Sequence, residues 1–113
     1  MTFDYRLKKE KDFNLVFSKG KRLFSSSLTL VYFPSQEIKC GFAVSKKHGG
    51  SVKRNRIKRL LRESFRSFLP EIGKNFFFVF IPKPDTEYSL EIFSKEMGYI
   101  LNKIGVLEKK EQC

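Results

Sequence analysis

The sequence predicts an α/β sandwich, a small mixed sheet of about four strands packed with helices in the order α-β-β-(β)-α-β-α. Three observations lead there. Residues 75–81, NFFFVFI, are a short continuous apolar run bounded by Gly73 and Pro82, the pattern of a central strand buried on both faces. Residues 37–47, EIKCGFAVSKK, alternate instead, as a half-buried strand does. Residues 51–69 and 89–104 return an apolar residue every third or fourth place, the period of an amphipathic helix.

Along the chain, residues 8–18 read as a first helix. Phe13, Val16 and Phe17 fall at i, i+3 and i+4, Asp12 lies near its start, and Lys19-Gly20 follows it. Residues 27–33, SLTLVYF, are rich in strand formers and stop at Pro34-Ser35. In the next strand Ile38, Cys40, Phe42 and Val44 point one way, and Lys39, Gly41, Ala43 and Ser45 the other; a hairpin with the preceding strand is expected. His48-Gly49-Gly50 reads as a flexible break before the basic helix. Ser89 is a candidate N-cap for the last helix, whose stripe is Leu90, Phe93, Met97, Ile100, Leu101 and Ile104. Residues 1–113 form a single domain, with a disordered tail over 107–113.

Charge narrows the partner. Lys and Arg number 23 against 12 Asp and Glu, a net charge of +11, which calls for a polyanion such as nucleic acid or an anionic membrane. The opening MTFDYRLKKEKDF has no apolar h-region, and no segment reaches the ~20 apolar residues of a membrane span. Cys40 and Cys113 are expected as free thiols in a reducing cytoplasm.

The charge concentrates in the helix SVKRNRIKRLLRESFRSFL. Ile57, Leu60, Leu61, Phe65 and Phe68 share one side, while Asn55, Arg59, Arg62 and Arg66 line the other, flanked by Arg56 and Lys58. Like charges at i, i+4 repel by roughly a few tenths of a kcal/mol per pair, so packing of the apolar side must offset the ridge. A solvated basic face is the bland alternative, but only Glu63 balances the run. Arg dominates over Lys, and its planar fork suits phosphate and bases, which favours structured RNA. A membrane-surface or calmodulin-target helix ranks lower, because the apolar side is needed to cover the sheet.

These residues carry a resemblance. GFAVSKK followed by SVKRNRIKRLLRESFR resembles the signature of the protein subunit of bacterial ribonuclease P, with Arg54-Asn55-Arg56 as its Arg-Asn-Arg motif, then Lys58-Arg59 and Arg62-Glu63. The opening RLKKEKDFNLVFSKGKR resembles that family's first helix. The resemblance implies the accessory protein subunit of a ribonucleoprotein endoribonuclease. Its RNA subunit, with Mg²⁺, cleaves the 5′ leader from precursor tRNA; no cofactor is held tightly by the protein alone, and one protein per RNA is expected. It also implies a left-handed crossover between parallel strands, where generic crossovers are right-handed. Lys46, Lys47, Lys53, Arg54, Asn55, Arg56, Lys58, Arg59, Arg62 and Arg66 would face the ribonuclease P RNA. Phe13, Phe17, Ala43 and Ser45 would line a cleft for the single-stranded leader. Two positions depart from the family pattern: Val31, beside Tyr32, stands where some relatives carry a cleft aromatic, and Pro82 where relatives often carry Arg.

The residues alone leave Phe13 and Phe17 open between core packing and base stacking. His48, the only histidine, is expected as a solvated loop residue near RNA phosphate rather than a catalyst. No zinc spacing, nucleotide-binding or nucleophile motif and no paired carboxylates stand out. A non-enzymatic RNA-binding protein, such as a ribosomal protein of similar fold, is the alternative reading.

Overall fold

The computed structural model describes residues 5–84 and 88–107. Helix α1 (Glu10–Lys19) leads into strands β1 (Lys21–Phe24), β2 (Leu28–Pro34) and β3 (Lys39–Phe42), then helix α2 (Ser51–Phe68), strand β4 (Phe76–Pro82) and helix α3 (Leu90–Lys103). The four strands make one sheet in the order β1-β2-β4-β3. β1 and β2 are antiparallel, β2 and β4 antiparallel, β3 and β4 parallel. The α/β sandwich with a mixed four-stranded sheet is therefore as expected.

The apolar run of β4 explains the strand order. Phe78 and Phe80 point to one side of the sheet and Val79 to the other, all fully buried. Such a strand needs a neighbour on each edge and a layer on each face. β2 and β3 supply the edges, so the expected β2–β3 hairpin does not form. β2 instead pairs in a hairpin with β1, across residues 25–27. The additional strand also stands elsewhere than expected, before β2 rather than before the basic helix. β1 shows no strand pattern in the sequence, because only Leu23 of its four residues packs inward.

Each face has its own cluster. On one, α2 and α3 bring Ile57, Leu61, Phe65, Phe93, Met97, Ile100 and Leu101 onto Leu28, Leu30, Cys40, Phe78 and Phe80. The two helices also meet through the Ser64 and Ser94 hydroxyls at 3.0 Å. On the other face, α1 lays Val16 over Val31 and Val79, with Leu7 beside them. α1 ends at Gly20, where the backbone turns extended and a Cβ would clash with the carbonyl oxygens of Val16 and Tyr32. The free edge of β3 is covered by the incoming chain: the Leu7 N–H donates to Cys40 O and the Cys40 N–H to Tyr5 O.

Two boundaries differ from expectation. β3 ends at Phe42, and residues 46–48 form a 3₁₀ turn rather than the end of a strand. Leu107, expected in a disordered tail, pairs in a bridge with Ile72; residues 108–113, including Cys113, lie outside the described residues. Cys40 is a free, buried thiol, and burial raises its pKa well above the ordinary value.

Candidate nucleic-acid interface

The docking face of α2 is as its periodicity predicts. Ile57, Leu61 and Phe65 are buried, and Leu60 and Phe68 pack partly against the same cluster. Asn55, Arg56, Arg59 and Arg66 are exposed, and Arg54, Lys58 and Arg62 are partly so. Among the described residues none of these cations forms an ion pair within 4 Å, and Glu63 forms none either. Lys53 is held differently, its Nζ 5.7 Å from the centre of the Tyr88 ring.

The start of α2 is electrostatically costly. Gly50 offers no side-chain cap, the first turn holds no acidic residue, and Lys53 and Arg54 sit there against the positive end of the helix dipole. Arg54 adds a buried Nε without a hydrogen-bond partner. A buried unsatisfied donor costs about 1–3 kcal/mol, and an anion at this end would relieve both penalties.

A second surface lies on the α1 side of the sheet. Phe13, Phe17, Phe33, Ala43, Phe77 and Ile81 are half-buried around the second cluster. Phe13 and Phe17 stack with ring centres 6.4 Å apart and planes 23° apart. Phe13 rests against Gly41, whose missing Cβ would lie 2.5 Å from the ring. Just past the end of β3, Ala43 and Ser45 line a pocket of about 290 Å³ with Val44, Lys47, His48, Ile81, Pro82 and Pro84. The aromatic pair of α1, the small residues after β3 and Lys47 of the 3₁₀ turn thus lie in succession on this side of the sheet, and the turn leads into α2. This suits an extended strand with bases on rings and phosphates on lysines.

The structure decides three open points. Val31 is fully buried beneath α1, and Tyr32 turns to the opposite face against Phe76, so neither lines the groove beside α1. Phe33, two places on, shares the α1 face; strand alternation from Val31 contained that information. His48 is not a solvated loop residue. It is buried, with Nε2 2.6 Å from the Pro82 carbonyl oxygen and Nδ1 3.0 Å from the Ser45 N–H. Tertiary pairing to a strand 34 residues away made it structural, and no local pattern signals that. Pro82 closes β4 and contributes this carbonyl in place of a basic side chain. Among the described residues no cluster of three or more His, Cys, Asp or Glu side chains forms.

The Ribonuclease P family model matches residues 1–105. The ribonuclease P protein component of Finegoldia magna is 41% identical over 83 residues, covering 73% of this chain and 74% of that one. That of Caldanaerobacter subterraneus is 34% identical over 110 residues, covering 95% of each. The solved structure of the Staphylococcus aureus RNase P protein superposes with a TM-score of 0.82 at 25% identity, covering 94% of this chain and 100% of that one. With the family model matched over residues 1–105 and a relative 34% identical across nearly the whole chain, the chain belongs to the ribonuclease P protein family.

Proposed function

We propose that this protein component of ribonuclease P binds its RNA subunit through the ridge of α2 and the 5′ leader of precursor tRNA through the groove beside α1. The observation that carries this reading is a row of Arg and Lys left without ion pairs on a helix that packs firmly by its other side. Arg54, Asn55, Arg56, Lys58, Arg59, Arg62 and Arg66 contact the RNA subunit, with Lys46, Lys47 and Lys53 extending the strip. Phe13 and Phe17 stack leader bases, and Ala43 and Ser45 let the strand lie close to β3.

The bond is cleaved by the RNA, and the protein raises affinity for the substrate and for the assembled enzyme. Phosphodiester cleavage by the RNA draws on Mg²⁺. In this reading the metal acts through the RNA subunit. One protein serves one RNA in the cytoplasm. Among the described residues no helix is long and apolar enough to cross a membrane.

Reconstitution tests the reading. Protein, a ribonuclease P RNA and precursor tRNA are mixed at Mg²⁺ too low for the RNA alone, and leader removal is followed. Cleavage that depends on the protein supports it; cleavage equal to that of RNA alone rejects it.

A further inference from the structure

The register of β3 on β4 contains a break that His48 fills. Lys39 to Phe42 pair with Phe77 to Phe80, and the Ala43 N–H donates to Phe80 O at 3.0 Å. In a parallel ladder the next bond would run from the residue-82 N–H to the Ala43 carbonyl, but Pro82 has no N–H. The bond after that would run from the Ser45 N–H to the Pro82 carbonyl. The His48 ring stands in its place. The Ser45 N–H can only donate, so Nδ1 accepts it at 3.0 Å. The Pro82 carbonyl can only accept, so Nε2–H donates to it at 2.6 Å. The imidazole thus bridges the two groups and relays one ladder bond across a wider gap, its Nδ1 also lying 3.2 Å from the Ser45 carbonyl oxygen.

The relay is braced from three sides. The Ser45 carbonyl accepts from the His48 backbone N–H at 2.9 Å, closing the 3₁₀ turn. The Tyr88 ring lies 6.5 Å from the imidazole, and its hydroxyl donates to Lys83 O at 2.7 Å. Lys53 of α2 in turn holds its Nζ 5.7 Å from the centre of that Tyr88 ring.

We propose that His48 is a positioning residue, a side-chain spacer that holds the ends of β3 and β4 apart and so sets the width of the pocket between Ala43, Ser45, Lys47 and Ile81. Through that pocket it fixes the path of the single strand leaving the Phe13–Phe17 stack. The inference rests on the leader-binding reading above. A direct strand pairing would narrow the pocket, and loss of the relay would free residues 45–47.

The test uses the reconstituted holoenzyme and the variants His48→Ala, His48→Gln and His48→Asn. Gln retains a donor near the Nε2 position, and Asn retains an acceptor near Nδ1. Affinity is measured for precursor tRNA with a leader of several nucleotides and for mature tRNA. Amide exchange at Ser45 is followed in the free protein. His48→Ala should lower the leader-dependent gain in affinity about tenfold, with faster Ser45 exchange and mature-tRNA affinity unchanged. Gln and Asn should each restore part of it.

If wild-type holoenzyme shows no leader-dependent gain, the leader reading fails and the role of His48 fails with it. If wild type shows the gain and His48→Ala retains it in full, only the role of His48 is overturned. Should His48→Ala fail to melt cooperatively, the two conservative variants decide. Folded Gln and Asn variants that bind both tRNAs as wild type does would overturn the proposal; selective loss on the leader substrate would sustain it.

Discussion

The ring of Phe13 occupies the space that a side chain at position 41 would need, so Gly41 and Phe13 are shaped to each other. A Cβ on Gly41 would stand 2.5 Å from Cζ and 2.6 Å from Cε1 of Phe13, both at the far end of a side chain that can yield. Gly41→Ala therefore displaces the ring rather than the strands. We expect a stability loss of about 1 kcal/mol by thermal or urea unfolding. Affinity for precursor tRNA should fall with it, and mature tRNA should bind as before. Phe13→Ala should show the same selectivity, losing roughly 1–3 kcal/mol on the leader substrate. Equal losses on both substrates would make Phe13 a purely structural residue.

The two sides of α2 should respond oppositely to truncation. Arg59→Ala and Arg62→Ala lose a charge-assisted contact worth about 1.5–3 kcal/mol in binding the RNA subunit, while their melting curves match wild type. Leu61→Ala, at a fully buried position, should cost about 2–5 kcal/mol of folding stability. Filter binding and thermal unfolding on the same preparations check both halves. An unfolded Arg59→Ala variant would place the ridge in the core and sink the assignment.

Counterion release gives an independent check on the ridge. The logarithm of affinity for the RNA subunit should fall with the logarithm of salt concentration, with a slope of about −0.7 to −0.9 for each phosphate engaged. Removing Arg62 should make that slope shallower by about one contact. A slope near zero would exclude the ridge as the main contact.

Glu96 ties α3 to the turn between β1 and β2, its Oε1 accepting from the Ser27 N–H at 3.1 Å. Partial burial pushes its pKa up, but hydrogen bonds with Ser25, Ser27 and Ser26 outweigh that and leave it below the ordinary carboxylate value. A carboxylate with a depressed folded-state pKa stabilises above its unfolded value, about 4.3, and that contribution is lost as pH falls through the folded value. Thermal melts between about pH 3 and pH 6 should show wild type losing stability more steeply on acidification than Glu96→Gln. Parallel curves would remove Glu96 as a source of the acid sensitivity.

The faces of the elements were legible in the sequence, because side-chain direction is a local property with a fixed period. The 3.6-residue repeat separated Ile57, Leu61 and Phe65 from Asn55, Arg59 and Arg66, and the twofold repeat separated Cys40 and Phe42 from Gly41 and Ala43. Both separations stand in the structure. Neighbours were another matter. Alternation says which way a strand faces, not which strand lies beside it. β3 went to β4 because a strand as apolar as FFFVFI must be covered on both edges, a demand on the whole sheet rather than on any one segment. β1 carries too little apolar pattern to announce itself. His48 reads as a loop residue in its own neighbourhood and becomes a buried spacer only because Pro82, far along the chain, lacks the N–H that would have continued the ladder. Charge, the basic ridge and the family were thus readable along the chain, whereas strand order and the wall of the pocket at His48 were not, since hydrogen-bond partners distant in sequence are chosen only when the core closes.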